Sequence, residues 1–428
     1  MGKENKMDIT FINPKVYYKY SHTPYQNLGI GYLAAMLAPE HNLFFVDGQM
    51  LSENKYHESL EAVDSEMVFI SSTLFQLAEA LRIADLIKRK CFNTRVVMGG
   101  AAFGPLKTDG LIGKHSVDIV VIGEAENAVR IIANSRTAKE LNKNGLAVRK
   151  IRHFTEIKVK EKPDVNAIPL PLRNVTETKK YMEIWRNFFG TTSLHLLGSR
   201  GCPFRCNFCD KSVTGSRYRP RSASEIAKEF QLLAMIFSPD DIFYFDDLFT
   251  ISEPRVNEVC EAITALECKA KWSAQARVDT VNLSMLQVMK RAGCTELNFG
   301  VESGSEKVLK ILNKRISKNK IRDAFRLCHS VGIKPGAYLL VGVPGETKSD
   351  ILETAELVKE ISPSLINFSY LTPFPGTRIF ETTKHLIKYF DFSKWDDFSE
   401  SIYRDNCFEI SPKDSEKIIQ EAFDKIKH

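Results

Sequence analysis

Strand-like and helix-like segments alternate through the first third of the chain, with short connections between them. The strand-like segments lie at Asp8–Ile12, Leu43–Val46, Met67–Ser71, Arg95–Met98 and Asp118–Ile122. This alternation is typical of a parallel sheet, because parallel neighbours need a crossover connection and helices usually provide it. We therefore predict a chain of the α/β class that begins with a flavodoxin-like, doubly wound parallel sheet over residues 1–138.

A second alternation fills residues 191–390. Its strand-like segments lie at Ser193–Leu197, Asp241–Phe245, Lys271–Gln275, Glu296–Val301, Gly336–Val341 and Leu365–Leu371. Six βα units predict a partial (β/α)6 barrel whose functional residues follow the carboxyl ends of the strands. Ser222 with Glu225, and Thr347 with Asp350, have the spacing of capping boxes, which predicts that a helix begins at each pair.

Two segments flank this predicted barrel. The periodicity fades over residues 139–190, a basic stretch with several prolines that we interpret as a linker. A C-terminal helical tail is predicted over residues 391–428, with one amphipathic helix at Pro412–Ile426.

The composition is that of an ordinary globular protein, with 428 residues of which 43% are hydrophobic and 26% charged. The net charge of +6 gives no reason to expect nucleic acid as a partner. No apolar run approaches the roughly 18 residues that span a bilayer, and the first residues lack the pattern of a signal peptide, so we expect a cytoplasmic protein without membrane contact. In such a protein, nine cysteines predict free thiols or metal ligands rather than disulfides.

Three of these cysteines lie close together after the first barrel strand, in GCPFRCNFCD. Cys202, Cys206 and Cys209 have the spacing C-x3-C-x2-C, so they can hold three irons of a cubic [4Fe–4S] cluster and leave the fourth iron open for reaction. A structural zinc site is disfavoured, because it would need a fourth Cys or His at short spacing. We interpret the other six cysteines as core or surface thiols.

The Cys-x3-Cys-x-Phe-Cys motif after the first barrel strand resembles that of the radical S-adenosylmethionine (radical SAM) superfamily, and the resemblance covers roughly Thr192 to Leu386. Further motifs agree in order at the ends of the later strands: FYFDDLFT, SAQARVDT, LNFGVESGS, AYLLVGVPGET and FSYLTPFPGT. The resemblance implies that SAM chelates the open iron. It also implies that Phe208, just before the third cysteine, lies against the adenine.

Charge and size suggest roles for the other implied SAM-binding residues. The zwitterionic methionine end needs paired charges, which Asp246 or Asp247 and Arg277 supply in this interpretation. Glu302 is the expected acceptor for the ribose hydroxyls. Gly342 would let the adenine approach the backbone closely.

The first domain contains two motifs that could bind a cofactor. Gly29 and Gly31 have the spacing of the first two glycines in a dinucleotide-binding motif. That motif needs its first glycine directly after the strand, and here about sixteen residues intervene, which disfavours NAD binding. Ser72-Thr73-Leu74 and Gly99-Gly100 resemble the Ser-x-Leu and Gly-Gly motifs of the cobalamin-binding domain that precedes many radical SAM enzymes. The cobalamin contacts implied by this resemblance are Ser72, Leu74, Gly99, Gly100 and Gly123.

One family motif is missing from the first domain. The Asp-x-His-x-x-Gly loop that supplies a lower-ligand histidine is absent, because Val46–Met50 reads VDGQM. Cobalamin is therefore expected to bind base-off, without a histidine ligand. The alternative is a degenerate sheet domain that has lost its ligand.

The resemblance implies an enzyme, a cobalamin-dependent radical SAM methyltransferase. It would methylate an unactivated carbon or a phosphinate phosphorus through a 5′-deoxyadenosyl radical and methylcobalamin. The expected partners are a small-molecule or peptide substrate and an external one-electron reductant of the flavodoxin or ferredoxin type. A non-methylating cyclase or rearrangement enzyme would use the same motifs, and a non-catalytic cobalamin or Fe–S binding protein is the alternative from another class. We assign no catalytic residue from the sequence.

Overall fold

The computed structural model describes residues 6–17, 25–104, 108–151, 153–174, 177–395 and 401–427. The chain forms two compact units. The first consists of the residues up to Ile184 together with Ser212–Thr214 and Asp391–Lys394, and the remaining residues form the second. Residues 152, 175–176, 396–400 and 428 of the predicted linker and tail lie outside the described residues.

The first unit is built on a seven-stranded sheet. Its strands are β1 (Asp8–Asn13), β2 (Asn42–Asp47), β3 (Met67–Ser71), β4 (Arg95–Gly99), β5 (Ile119–Ile122), β6 (Val148–Ile151) and β7 (Phe154–Lys158). Their spatial order is β2-β1-β3-β4-β5-β7-β6, and every pair except β6–β7 is parallel. The central strands are buried along most of their length, as in a sheet covered on both faces. The predicted flavodoxin-like sheet is confirmed.

Helices connect these strands. They are α1 (Leu28–Leu37), α2 (Glu53–Glu61), α3 (Leu77–Lys90), α4 (Thr108–Ile112), α5 (Glu126–Asn134) and α6 (Ala138–Lys143). Another helix, α7 (Thr178–Phe189), follows the sheet, and the chain passes from the first unit to the second within it.

The interpretation of residues 139–190 as a linker is wrong for β6 and β7. These strands form an antiparallel hairpin, and β7 extends the sheet beyond β5. Ile151, Phe154 and Ile157 are buried, whereas charged residues such as Lys150 and Lys158 occupy exposed positions of the hairpin. Charged side chains are usual on an edge strand, and here they masked the apolar positions between them.

The second unit contains a six-stranded parallel sheet in the order β15-β14-β13-β12-β11-β8. Its strands are β8 (Ser193–Leu196), β11 (Asp241–Tyr244), β12 (Trp272–Ala276), β13 (Cys294–Glu302), β14 (Lys334–Val341) and β15 (Leu365–Tyr370). A two-stranded ladder, β9 (Ser199–Arg200) with β10 (Arg219–Pro220), lies between β8 and β11 in the sequence. Consecutive large strands are neighbours, which confirms the partial (β/α)6 barrel.

The helices of the second unit are α8 (Ala223–Phe237), α9 (Glu253–Ala265), α10 (Leu283–Arg291), α11 (Glu306–Ile311), α12 (Lys318–Val331), α13 (Lys348–Ile361), α14 (Arg378–Thr383) and α15 (Pro412–Lys427). Ser222 accepts from the Glu225 amide at the start of α8. Thr347 and Asp350 form a reciprocal capping box at α13. The tail helix α15 is tied to the sheet, because Tyr370 donates to Glu416 at 2.7 Å. No described helix is long and apolar enough to span a membrane.

Candidate active site

The three-cysteine loop leaves the sheet at the carboxyl end of β8, and its two ends lie side by side. The β9–β10 ladder joins its two ends. Gly201, just before Cys202, has φ of +87°, and a Cβ there would overlap the Arg217 carbonyl oxygen. Its amide donates to Asp247 Oδ2 at 2.7 Å. Local sterics and one carboxylate therefore set the direction in which the loop leaves the sheet.

Hydrogen bonds inside the loop, and one to the segment that follows α11, also hold the loop in place. Lys211 Nζ donates to the carbonyls of Cys202, at 2.8 Å, and of Phe204. The Asn207 amide donates to Leu312 O, just after α11, at 2.9 Å. Cys202 and Cys206 are half-buried and Cys209 is exposed, and all three are free thiols. Three thiols on one fixed loop fit a cluster with one open iron.

The other cysteines differ in their surroundings. Cys260, Cys294 and Cys328 are buried in the barrel core, and burial raises the pKa of Cys260 and of Cys328 to about 12. Burial also raises the pKa of Cys209 to about 12, so position distinguishes the two sets of thiols: the loop cysteines lie close together in the sequence, whereas these three lie on separate elements of the barrel.

Arg277, at the end of β12, lies directly against the cysteine loop. Its Nη1 is 3.8 Å from Cys206 Sγ, and its guanidinium carbon is 3.7 Å from the centre of the Phe204 ring. Nε and Nη2 donate to both oxygens of Asp279, and Nη2 also donates to Lys314 O. The side chain is only 5% exposed, so these contacts fix the guanidinium beside the cysteines.

Glu302, at the end of β13, forms a buried ion pair. Lys314 Nζ donates to its Oε1 at 2.5 Å, and both side chains are less than a tenth exposed. Glu302 has φ of +64°, and a Cβ on Gly300 would come within 2.6 Å of both charged atoms. Lys314 Nζ lies 5.9 Å from the centre of the Phe208 ring. Lys314 therefore joins Glu302, Phe208 and Arg277, and Arg277 in turn reaches Cys206.

The other predicted SAM contacts have structural partners of their own. Asp246 is 3% exposed and accepts from the Gly198 amide and the Ser199 hydroxyl, both at 2.6 Å. Burial raises its pKa to about 6. Gly342 has φ of +77°, and a Cβ there would come within 2.9 Å of Pro412. Both positions thus have a reason for their residue type that needs no ligand, and their SAM contacts remain predictions.

The predicted cobalamin contacts lie at the carboxyl ends of the strands in the first unit. Gly100 has φ of +104°, and a Cβ there would be 2.5 Å from Ser72 O, so the backbone alone requires glycine. At Gly99, by contrast, a Cβ would make only an ordinary contact of 3.5 Å with Val121 O. Nothing in the described residues therefore demands a glycine at position 99. A slot that must admit a flat ligand tail would explain it.

The remaining predicted cobalamin contacts are also built into this edge of the sheet. Ser72 and Leu74 are buried, and the Ser72 hydroxyl donates to Thr73 O at 2.8 Å. Gly123 has φ of +102°, which favours glycine whether or not a ligand binds. Beside them, Asp47 accepts from Asn13 at 2.9 Å and from the Tyr181 hydroxyl of α7 at 2.8 Å. Burial raises the pKa of Asp47.

The region that contains the three-cysteine loop matches a known protein family. The model of the radical SAM superfamily matches residues 196–358, which begin at the end of β8 and include the loop, Arg277, Glu302 and Lys314. Residues 196–358 therefore form a radical SAM domain.

Individual proteins resemble more of the chain. An uncharacterized methyltransferase of Pyrococcus horikoshii is 28% identical over 365 residues, which are 83% of this chain and 77% of that relative. The anaerobic magnesium-protoporphyrin IX monomethyl ester cyclase of Cereibacter sphaeroides is 26% identical over 82% of this chain, which spans 59% of that enzyme. The radical SAM methyltransferase TsrM of Kitasatospora setae, solved with cobalamin and a [4Fe–4S] cluster bound, has a TM-score of 0.69 at 18% identity, covering 89% of this chain and 78% of TsrM. That likeness shows a common fold.

Sequence reasoning missed two residues of this radical SAM site. Phe204 lies inside the Cys-x3-Cys spacing, where only the cysteines were considered, and it stacks under Arg277. Lys314 follows α11, twelve residues after Glu302, and no local pattern marks it. A tertiary contact brings it to the site, so only the fold reveals its role.

Replacing Arg277 by Gln will show whether this residue serves the cluster or SAM. Because Arg277 approaches Cys206 and is otherwise saturated by Asp279 and Lys314, we expect the midpoint potential of the reconstituted cluster to become more negative when this donor is lost. SAM affinity should change less than about twofold. A large loss of SAM affinity with an unchanged potential would instead support the role in SAM binding predicted from the sequence. Potentiometric titration and equilibrium SAM binding give the two readouts.

Proposed function

We propose that the chain is a cobalamin-dependent radical SAM methyltransferase that acts on an unactivated carbon, or a phosphinate phosphorus, of a small-molecule or peptide substrate. The observation that carries the proposal is the loop that holds three free thiols beside Arg277, in a chain that also has a flavodoxin-like unit. The methyltransferase of Pyrococcus horikoshii and the fold of TsrM support it. The three thiols would hold the cluster, and the edge of the first sheet at Gly99 would receive cobalamin.

The chemistry in this proposal is divided between cofactors and protein. When bound, a reduced cluster supplies the electron that splits the sulfonium of SAM, and cobalamin supplies the methyl group. The protein's part is to orient and to exclude water. Asp247 and Lys211 fix the loop, Arg277 places positive charge beside Cys206, and the Lys314–Glu302 pair holds a carboxylate where the ribose is expected. An external flavodoxin or ferredoxin would deliver the electron.

The first test needs no substrate. Protein reconstituted anaerobically with iron, sulfide and cobalamin should give 5′-deoxyadenosine from SAM under reduction, and should also convert SAM into S-adenosylhomocysteine as the reduced cobalamin is methylated. Mass spectrometry and the absorption of cobalamin follow the two products. A protein that gives 5′-deoxyadenosine without S-adenosylhomocysteine would be a non-methylating enzyme. The resemblance to the cyclase of Cereibacter sphaeroides favours that second candidate. A protein that gives neither product would be a binding protein.

Gly99→Val tests cobalamin binding without disturbing the sheet. A Cβ at position 99 meets only ordinary contacts, so the thermal midpoint should stay close to that of the unmodified chain. The longer side chain should obstruct the ligand's tail and weaken cobalamin retention at least about tenfold, since overpacking typically costs 1–3 kcal/mol. Gly110→Val is the matched control, because a Cβ there meets nothing within 4 Å.

The Gly99→Val experiment also distinguishes a first unit that binds cobalamin at this edge from a degenerate domain that has lost its ligand. If Gly99→Val retains cobalamin as well as the control does, the tail does not bind at this edge. If the unmodified protein never retains cobalamin, the first unit is a degenerate domain. When cobalamin binds, a base-off spectrum that no histidine substitution changes is expected. Gly100 is unsuitable for this test, because its backbone needs glycine with or without ligand.

A further inference from the structure

The interior of the partial barrel has two chemically different walls. Alternate residues of a strand face opposite sides of the sheet. Leu297 and Phe299 of β13, and Ala337 of β14, are fully buried under the outer helices, so the residues between them face the lumen. Neutral residues that face the lumen from β12 to β15 include Gln275, Asn298, Gly336, Tyr338 and Asn367. Register supports this set, because Gln275 pairs with Asn298, Asn298 with Gly336, and Tyr338 with Asn367.

The opposite wall, from β8 and the end of β11, is aromatic. His195 packs edge-on against Phe243 and Phe245, with ring centres 5.9 and 5.4 Å apart. Trp185 of α7 also packs edge-on against His195, with ring centres 5.8 Å apart. Phe245 is nevertheless 41% exposed, although its amide is still hydrogen-bonded to Leu196 in the sheet. An exposed ring that extends a packed aromatic cluster is a ready surface for stacking a flat ligand.

Asn298 supplies a directional feature on the neutral wall. It is 5% exposed, and its Nδ2 donates to Glu296 at 3.0 Å. Its Oδ1 is fully buried, and no donor to it lies within the described residues. A Cβ on Gly336 would overlap this oxygen, so the glycine leaves room for it on the lumen side of β14. A buried acceptor without a donor is costly, and a ligand N–H or O–H would satisfy it.

These walls begin directly below the cysteine loop. Phe245 immediately precedes Asp246 and Asp247, which bond to Gly198, Ser199 and Gly201. Gln275 comes two residues before Arg277, one step of about 7 Å down the same face of β12. A molecule that fills this part of the lumen therefore lies within reach of chemistry at the loop.

We propose that the lumen binds the substrate through an uncharged, flat aromatic or conjugated group that stacks on Phe245 and donates an N–H or O–H to Asn298. The proposal rests on the proposed function, since it describes the substrate of the same site. The strand neighbours of Asn298 at the same level, Gln275 and Gly336, are uncharged, and the Glu296 carboxylate lies one step below on the same face. A fully aliphatic or strongly anionic group gains nothing from either wall.

Indole and benzothiophene are matched probes, because they have similar flat shapes and only indole has an N–H. With the reconstituted protein, saturation-transfer NMR should show tighter binding of indole, by about three- to tenfold. Asn298→Leu should abolish this preference while both probes still bind. Phe245→Ala should weaken both probes by about five- to tenfold. Phe92→Ala is the control, because Phe92 is 82% exposed in the first unit.

The outcomes separate this proposal from the function on which it rests. Equal binding of the two probes to the unmodified protein, or unchanged binding to Phe245→Ala, would overturn the proposal even if SAM cleavage is normal. Probe binding with the predicted pattern in a protein that never cleaves SAM would keep the aromatic site and reject the radical SAM function. If Asn298→Leu fails to fold, the comparison of Phe245→Ala with Phe92→Ala still decides.

Discussion

Replacing Cys202, Cys206 and Cys209 together by alanine should leave a folded protein that no longer assembles its cluster. The loop is closed by the β9–β10 ladder and held by Asp247 and Lys211, none of which depends on the thiols. Reconstitution should therefore give almost no bound iron or sulfide, and reductive cleavage of SAM should fall to the background of free reductant. Iron and sulfide analysis, visible absorption and 5′-deoxyadenosine yield measure this loss.

Cys268→Ala combined with Cys407→Ala is the matched control. Both residues are half-buried, as Cys202 and Cys206 are, but they lie outside the loop. The control should keep about four irons per chain and a nearly normal yield of 5′-deoxyadenosine. Loss of the cluster in the control, with retention in the loop variant, would place the cluster elsewhere.

The second large effect is expected from Lys314→Met, which leaves the Glu302 carboxylate buried without its cation. The two side chains are 8% and 9% exposed, so little water can replace the ammonium group. Breaking a buried pair in this way typically costs about 3–5 kcal/mol. The urea transition that reports on the second unit should move to lower concentration accordingly.

The double variant Lys314→Met with Glu302→Gln distinguishes the ion pair from simple packing. It removes both charges together, so it should recover much of the stability lost in Lys314→Met. Glu302→Gln should nevertheless bind SAM more weakly, by roughly 1–3 kcal/mol, because the carboxylate is the predicted acceptor for the ribose. Normal SAM affinity in the double variant would remove Glu302 from the SAM site.

The elements predicted from the sequence agree with the structure where the pattern along a strand or helix is regular. Both parallel sheets were predicted, as were the helix starts at Ser222 and Thr347, because these features depend on local periodicity and capping. The cysteine loop was identifiable because its spacing is local too. The hairpin β6–β7 was missed because its exposed charges hid three apolar positions, and only pairing with β5 makes those positions interior.

The site was less predictable than the fold, because its contacts cross between strands. The sequence placed Arg277 and Glu302 at strand ends but did not indicate that Asp279 and Lys314 already bind them. Likewise, no sequence pattern distinguishes Gly99, which has room for a Cβ, from Gly100, whose conformation excludes one. Such distinctions depend on backbone angles and on neighbours far away in the chain.

The closed cysteine loop bears on the order in which the holoenzyme matures. Small zinc domains fold only when the metal arrives, because their ligands supply most of the folding energy. Here the ladder at Ser199–Arg200, the constrained Gly201 and the Asp247 carboxylate shape the loop without a bound cluster. We therefore expect the cluster to enter a protein that is already folded, with Cys209 exposed at its surface. Until the cluster enters, oxygen can oxidise the three free thiols, so the apoprotein should need a reducing environment before iron and sulfide are added.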